Sequence, residues 1–105
     1  MIEQRQELNR VAGYFKVLSD CSRIRILTVL LDNEYCVNDL AACLSMSKSA
    51  VSHQLRILRS ECLVKSRRAG KQVFYSISDI YVQETLTAGE DHVLRYFGGG
   101  GNQNE

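Results

Sequence analysis

Ser49, Ser52, His53 and Arg56 stand at i, i+3, i+4 and i+7, the spacing that lines side chains along one side of a helix. Short hydroxyls, an imidazole and a guanidinium are donors and acceptors suited to base edges and phosphates in a DNA major groove. A merely solvated helix more often carries Glu and Lys. Lys48 begins the same stretch, and Arg67, Arg68 and Lys71 follow it. Residues 47 to 72 hold seven Lys and Arg against one Glu, a local +6 in a chain whose net charge is +1, so the remaining residues carry −5. A basic surface gathered in this way is what phosphate neutralisation and counterion release require.

The apolar pattern predicts the elements that hold these side chains. Val37, Leu40, Ala41 and Leu44 mark one helix face, and Ser45-Met46-Ser47 interrupts it. Ser47 fits an N-cap, so a second helix starts there, with Val51, Leu55, Leu58 and Cys62 turned to the core. Residues 37–61 thus read as a helix-turn-helix. Leu63–Arg67 and Gln72–Ile77 have strand character and flank Arg68-Ala69-Gly70-Lys71, so residues 63–77 form a hairpin with Gly70 in its turn and a basic tip. Upstream, Leu8, Val11, Phe15 and Leu18 share a helical face, and Asp20 caps a helix in which Ile24, Leu27 and Leu31 line the core. Downstream, Ser78 or Asp79 caps a last helix with Val82, Leu86, Gly89, Val93 and Phe97 in line.

The expected fold is mainly α with a small β-hairpin, a winged helix-turn-helix of order α-α-α-α-β-β-α in a single domain over residues 1–97. The helices at 3–18 and 79–97 lie outside the DNA-reading unit, and their apolar stripes need another surface. A two-fold dimer through them supplies it. Gly89 costs about 1 kcal/mol inside a helix relative to Ala, and close helix approach is a reason to keep it. Residues 98–105, four glycines followed by polar residues, are expected to be a disordered tail.

At 105 residues the chain has room for one small core and little for a deep pocket. Paired carboxylates, a plausible Ser-His-Asp order and a Gly-rich phosphate loop are absent from the sequence, so it does not read as an enzyme. Glu3, Arg5 and Glu7 with no apolar run behind them predict neither a secretory leader nor a membrane span, and a cytoplasmic protein is expected. Its four cysteines, at 21, 36, 43 and 62, are then read as thiols rather than disulfides.

Four segments resemble the ArsR/SmtB metal-responsive repressors. They are Leu18-Ser19-Asp20-Cys21-Ser22-Arg23-Ile24-Arg25-Ile26-Leu27, Glu34-Tyr35-Cys36-Val37-Asn38-Asp39-Leu40, Ser47 to Leu55, and Gly70-Lys71-Gln72-Val73-Phe74-Tyr75-Ser76. The resemblance implies a homodimeric winged-helix repressor that releases double-stranded operator DNA when a ligand binds. Its familiar metal sites are incomplete here. A box with two thiols one residue apart keeps Cys36 but has Asn38 in the second position. A site on the last helices keeps Asp79 and His92 but has Tyr81 and Arg95 at the other ligand positions.

Cys21 stands where relatives commonly have Pro. Directly after an Asp cap it enters a helix's first turn, where unpaired N–H groups and the helix dipole favour an anion. Cys36, at the start of the next helix, shares that setting. These two are the candidate sensing thiols, and the effector class is a soft thiophilic metal or metalloid ion. Cys43 and Cys62 are expected to pack in the core. Two alternatives stand beside this reading: a thiol redox or sulfur sensor of the same fold, and a winged-helix protein-interaction module that does not read DNA.

Overall fold

Side chains at the expected caps start three of the helices. Asp20 accepts a hydrogen bond from the Arg23 N–H at 3.1 Å, and Ser47 from that of Ala50 at 3.0 Å. Asp79 accepts from Tyr81 at 2.9 Å and Val82 at 3.1 Å. Each satisfies donors that a helix start leaves open. The computed structural model describes residues 4–98, so the expected tail lies, apart from Gly98, outside the described residues.

In chain order the elements are α1 (Arg5–Leu18), α2 (Cys21–Leu30), β1 (Tyr35–Cys36), α3 (Val37–Leu44), α4 (Lys48–Ser60), β2 (Val64–Ala69), β3 (Gln72–Ile77) and α5 (Ile80–Phe97). This is the expected winged helix-turn-helix with one strand added. The sheet is antiparallel in the order β1-β3-β2, with Tyr35 opposite Tyr75 and Cys36 opposite Phe74. Among the described residues no helix is long and apolar enough to cross a membrane.

The core joins Leu18, Ile26, Leu27, Leu30, Leu40, Ala41, Leu44, Val51, Leu55, Leu58, Leu63, Val64 and Val82. Helix α4 lies against α2, α3 and β2. Two arginines lock this arrangement from outside. Arg23 donates from Nε to Gln54 of α4 at 2.9 Å and from a terminal nitrogen to the Val17 carbonyl at 3.1 Å. Arg25 donates to the Leu44 carbonyl at the end of α3, at 2.7 Å. At the other end of the molecule the Tyr14 hydroxyl reaches Thr85 at 3.2 Å and ties α1 to α5.

Two expectations about the core need correction. Helix α2 buries Ile26, Leu27 and Leu30, while Ile24 is 39% exposed and Leu31 lies just past the helix, half-buried. Apolar residues occupy most sides of that helix, so spacing alone does not choose between the two sets. Cys43 and Cys62 are exposed rather than packed. Helix α4 ends before Cys62, whose φ of 63° reverses the chain. The Cys62 N–H bonds the Arg59 carbonyl, and that of Leu63 bonds the Leu58 carbonyl. This pairing is a Schellman closure, and Leu63, fully buried beside Leu58, makes its apolar contact.

A left-handed backbone at a residue with a Cβ is unfavourable, and glycine removes the penalty. Cys62→Gly is therefore expected to stabilise the fold by about 1 kcal/mol. Thermal unfolding at fixed protein concentration checks it. A lowered midpoint would mean that the thiol packs after all.

Candidate nucleic-acid interface

Burial of Val51, Leu55 and Leu58 leaves Lys48, Ser49, His53 and Arg56 exposed on α4, with Ser52 half-buried among them. The structure thus brings together the outward set read from the sequence. The Ser49 hydroxyl lies 3.3 Å from that of the cap Ser47, which orients it at the helix start. Ser52 and Arg56 also line an open groove with Arg59, Ser60 and Tyr75. Arg59 carried a usable signal, since it follows Arg56 by three residues on the same flank. Tyr75 arrives from β3 and had none.

The wing closes with Ala69 opposite Gln72. Gly70 takes φ 63° at the first central position of that two-residue turn, the place where such a turn needs glycine. Arg68 and Lys71 are exposed at the tip. Opposed residues in an antiparallel sheet share a face. Ser66 and Tyr75 are opposed, as are Arg68 and Val73, so Arg68 lies on the Tyr75 face, the side that meets α4 across the groove.

Arg67 lies on the other face. It is opposite Phe74, its guanidinium sits 5.0 Å from the centre of that ring, and it donates to both carboxylate oxygens of Glu34, at 2.7 and 3.0 Å. These hydrogen bonds above all, opposed by desolvation and aided by the charges of Arg67 and Lys65, hold the Glu34 carboxyl below its ordinary pKa. The same pair raises Arg67. Arg67, expected as a phosphate contact, is thus satisfied within the protomer and faces away from α4.

The candidate sensing groups are not gathered into one site. Cys21 is the first residue of α2 and exposed, whereas Cys36 is buried at the N-cap of α3 and makes no cap hydrogen bond with its side chain. Asp79 is occupied by the backbone it caps, and the His92 ring lies 4.7 Å from that of Tyr96. His92 stands thirteen positions after Asp79 along α5, about 20 Å at 1.5 Å per residue, so within one chain they cannot share an ion. Among the described residues no group of three or more His, Cys, Asp or Glu side chains is placed to hold a metal. One protomer alone does not fit a closed metal site.

Apolar side chains gather in a separate groove. Phe15, Ile24, Leu31, Leu86, Val93 and Leu94 line a groove between α1, α2 and α5. Phe15 is 54% exposed, Val93 51% and Phe97 70%. A Cβ built on Gly89, in the same groove, would meet nothing within 4 Å.

Comparison with known proteins agrees with this geometry. A family model described as bacterial regulatory protein, arsR family, matches residues 20–66. The chain is 47% identical over 87 residues to the transcriptional repressor SmtB homolog of Synechocystis, an alignment covering 83% of the chain and 66% of that protein. It is 43% identical over 81 residues to the HTH-type transcriptional regulator NmtR of Mycobacterium tuberculosis, covering 77% and 68%. The chain therefore spans about two thirds of the length of these relatives. The solution structure of apo-NmtR superposes with a TM-score of 0.80 at 35% identity, covering 100% of this chain and 88% of that one. A homodimeric winged helix-turn-helix DNA-binding domain from Mycobacterium bovis superposes at 0.83 with 26% identity and full coverage of both chains. A winged helix-turn-helix with these matches identifies the chain as a member of the arsR family of bacterial regulatory proteins.

Proposed function

We propose that the chain is a homodimeric transcriptional repressor that holds a palindromic operator through α4 and the wing and lets it go when an effector binds. The observation that carries this reading is the outward face of α4. Lys48, Ser49, Ser52, His53 and Arg56 leave the core together, and Arg68 and Lys71 extend the basic surface along the wing. The dimer is supported by the exposed apolar groove of α1, α2 and α5 and by the homodimeric relative. Two recognition helices spaced one turn of DNA apart, about 34 Å, would read the two half-sites. The effector favours a dimer with a different spacing and so shifts the population away from DNA.

The effector we assign to the soft thiophilic class, a metal or metalloid ion, and its chemistry to Cys36 and Cys21. Both stand at helix starts, Cys21 as the first residue of α2 and Cys36 at the N-cap of α3. Cys36 is also opposite Phe74, on whose ring Arg67 rests, so a change at that thiol is felt in the wing. Since one protomer supplies too few ligands, the ion would draw the rest from the partner. A second reading, oxidation of thiols, is favoured by the exposure of Cys21.

Binding to a duplex selected from a random pool is expected at nanomolar strength, weakening steeply with salt. Ser52→Ala and His53→Ala should change base preference, whereas Arg59→Ala and Lys71→Ala should each reduce the salt slope by about one and leave base preference as it is. Salt-independent binding would overturn the reading.

Val93→Asp places a charge in the proposed interface and is expected to yield monomer in sedimentation, since an unpaired buried charge costs several kcal/mol. A dimer that persists places the interface elsewhere.

Operator release by soft ions and by mild oxidant should fail in Cys36→Ser or Cys21→Ser and survive in Cys43→Ser, Cys62→Ser, Asp79→Ala and His92→Ala. Loss of response only in the last two would move sensing to α5.

A further inference from the structure

We propose that Glu34 is a positioning residue for DNA reading, which braces the wing by holding Arg67 across the sheet through a bidentate ion pair. The proposal rests on the DNA-binding reading above and adds to it a required acidic residue in a basic reading unit.

The inner end of the wing is anchored by Val64, Tyr75 and Ile77, but its outer part has little else to fix it. Strand β1 contributes two residues, and its pairing with β3 stops at Tyr75 and Phe74. From Val73 to the tip, β3 has only β2 as a neighbour, through the pairs Arg68 with Val73 and Ala69 with Gln72. A two-stranded ribbon is marginal in water by itself. One row of residues nevertheless crosses all three strands, because Phe74 is opposite both Cys36 and Arg67. Along this row the Arg67 guanidinium passes over the Phe74 ring, 5.0 Å from its centre, and ends on Glu34, just before β1. The outermost strand is thereby tied to the chain entering α3, over the top of the middle strand.

Two effects of Glu34 on DNA binding oppose each other. Its negative charge repels phosphates, but the charge is matched by Arg67, the pair lies on the sheet face away from α4, and salt screens it over about 8 Å. The brace acts on the direction of Arg68 and Lys71, which sit one to four residues beyond Arg67. Isolated surface pairs contribute little, yet bidentate Arg–carboxylate geometry is the exception to that rule, and here a ring holds the guanidinium in place. Bracing outweighs repulsion.

The test compares wild type, Glu34→Ala, Arg67→Ala and the exchanged pair Glu34→Arg with Arg67→Glu, each titrated with the selected duplex across a salt series. Amide hydrogen exchange of residues 67–74 is measured on the same free proteins. Both residues belong to the surface, so melting temperatures should stay close to wild type. Each single variant is expected to bind about two- to fivefold more weakly with an unchanged salt slope and faster exchange in the wing. The exchanged pair should recover most of the affinity. Single variants that bind as well as wild type or better would overturn the brace, and so would an exchanged pair no better than the singles. A salt slope reduced by about one in Arg67→Ala would overturn it differently, by making Arg67 a direct phosphate contact. A wild type that binds no duplex sinks the DNA reading itself, whereas tight wild-type binding with unaffected variants sinks only the brace.

Discussion

A helix can turn only one side to a core, and the side that α4 turns inward decides what the rest of it shows to solvent. Val51 and Leu58 are fully buried and Leu55 is 1% exposed. Burying a side chain of this size stabilises by roughly 1.5–3 kcal/mol, so the three together outweigh any cap, near 1 kcal/mol, or exposed ion pair. Rotation of α4 about its axis is thus set by apolar packing, and the polar face follows. Arg23 and Arg25 refine the placement by bonding Gln54 and the end of α3. The turn at Cys62 then delivers Leu63 back into the same core and aims the chain into the wing.

What the sequence revealed divides along the same physical line. The face of α4, its Ser47 cap, the Asp20 and Asp79 caps and the glycine turn of the wing are local patterns, and all were legible. Cys62 misled because apolar spacing continued past the end of the helix, while the backbone reversal that ends it had no glycine to announce it. Helix α2 misled because Ile24, Ile26, Leu27 and Leu30 surround it, leaving the core face to be chosen by α1, α3 and α4. Strand β1 is two residues long and exists only by pairing with β3. Arg67 read as one more basic residue of the wing, because its partner stands 33 positions earlier.

The interior accounts for only part of the apolar surface. Leu18 and Val82 are buried, but Leu8, Phe15, Ile24, Val93, Leu94 and Phe97 remain at least 39% exposed and fall on α1, α2 and α5. Of these, Phe15, Ile24, Val93 and Leu94 line one groove, apolar surface of the kind found at interaction sites. Gly89 belongs with it, since no contact inside the protomer limits the size of the residue there and glycine weakens the helix. In the proposed dimer a bare backbone there would let another helix approach. The exposed side of α4 and the apolar groove of α1, α2 and α5 are thus separate surfaces of one small domain.

That separation constrains how any effector could work. A ligand shifts an equilibrium only by its difference in affinity for the two states. A soft ion bound wholly within one rigid protomer would bind both dimer geometries alike and change nothing. The incompleteness of the protomer's ligand set matters for this reason. With Cys21 exposed at the start of α2 and Cys36 buried at the end of β1, an ion needing three or four ligands would have to recruit groups whose positions depend on how the two chains sit, or move Cys36 out of its buried place in the sheet. Either route makes binding differ between the states. On the proposed reading, an incomplete ligand set within one protomer is what would let an ion distinguish the two dimer geometries, so that dimer geometry and ligand count become one physical question.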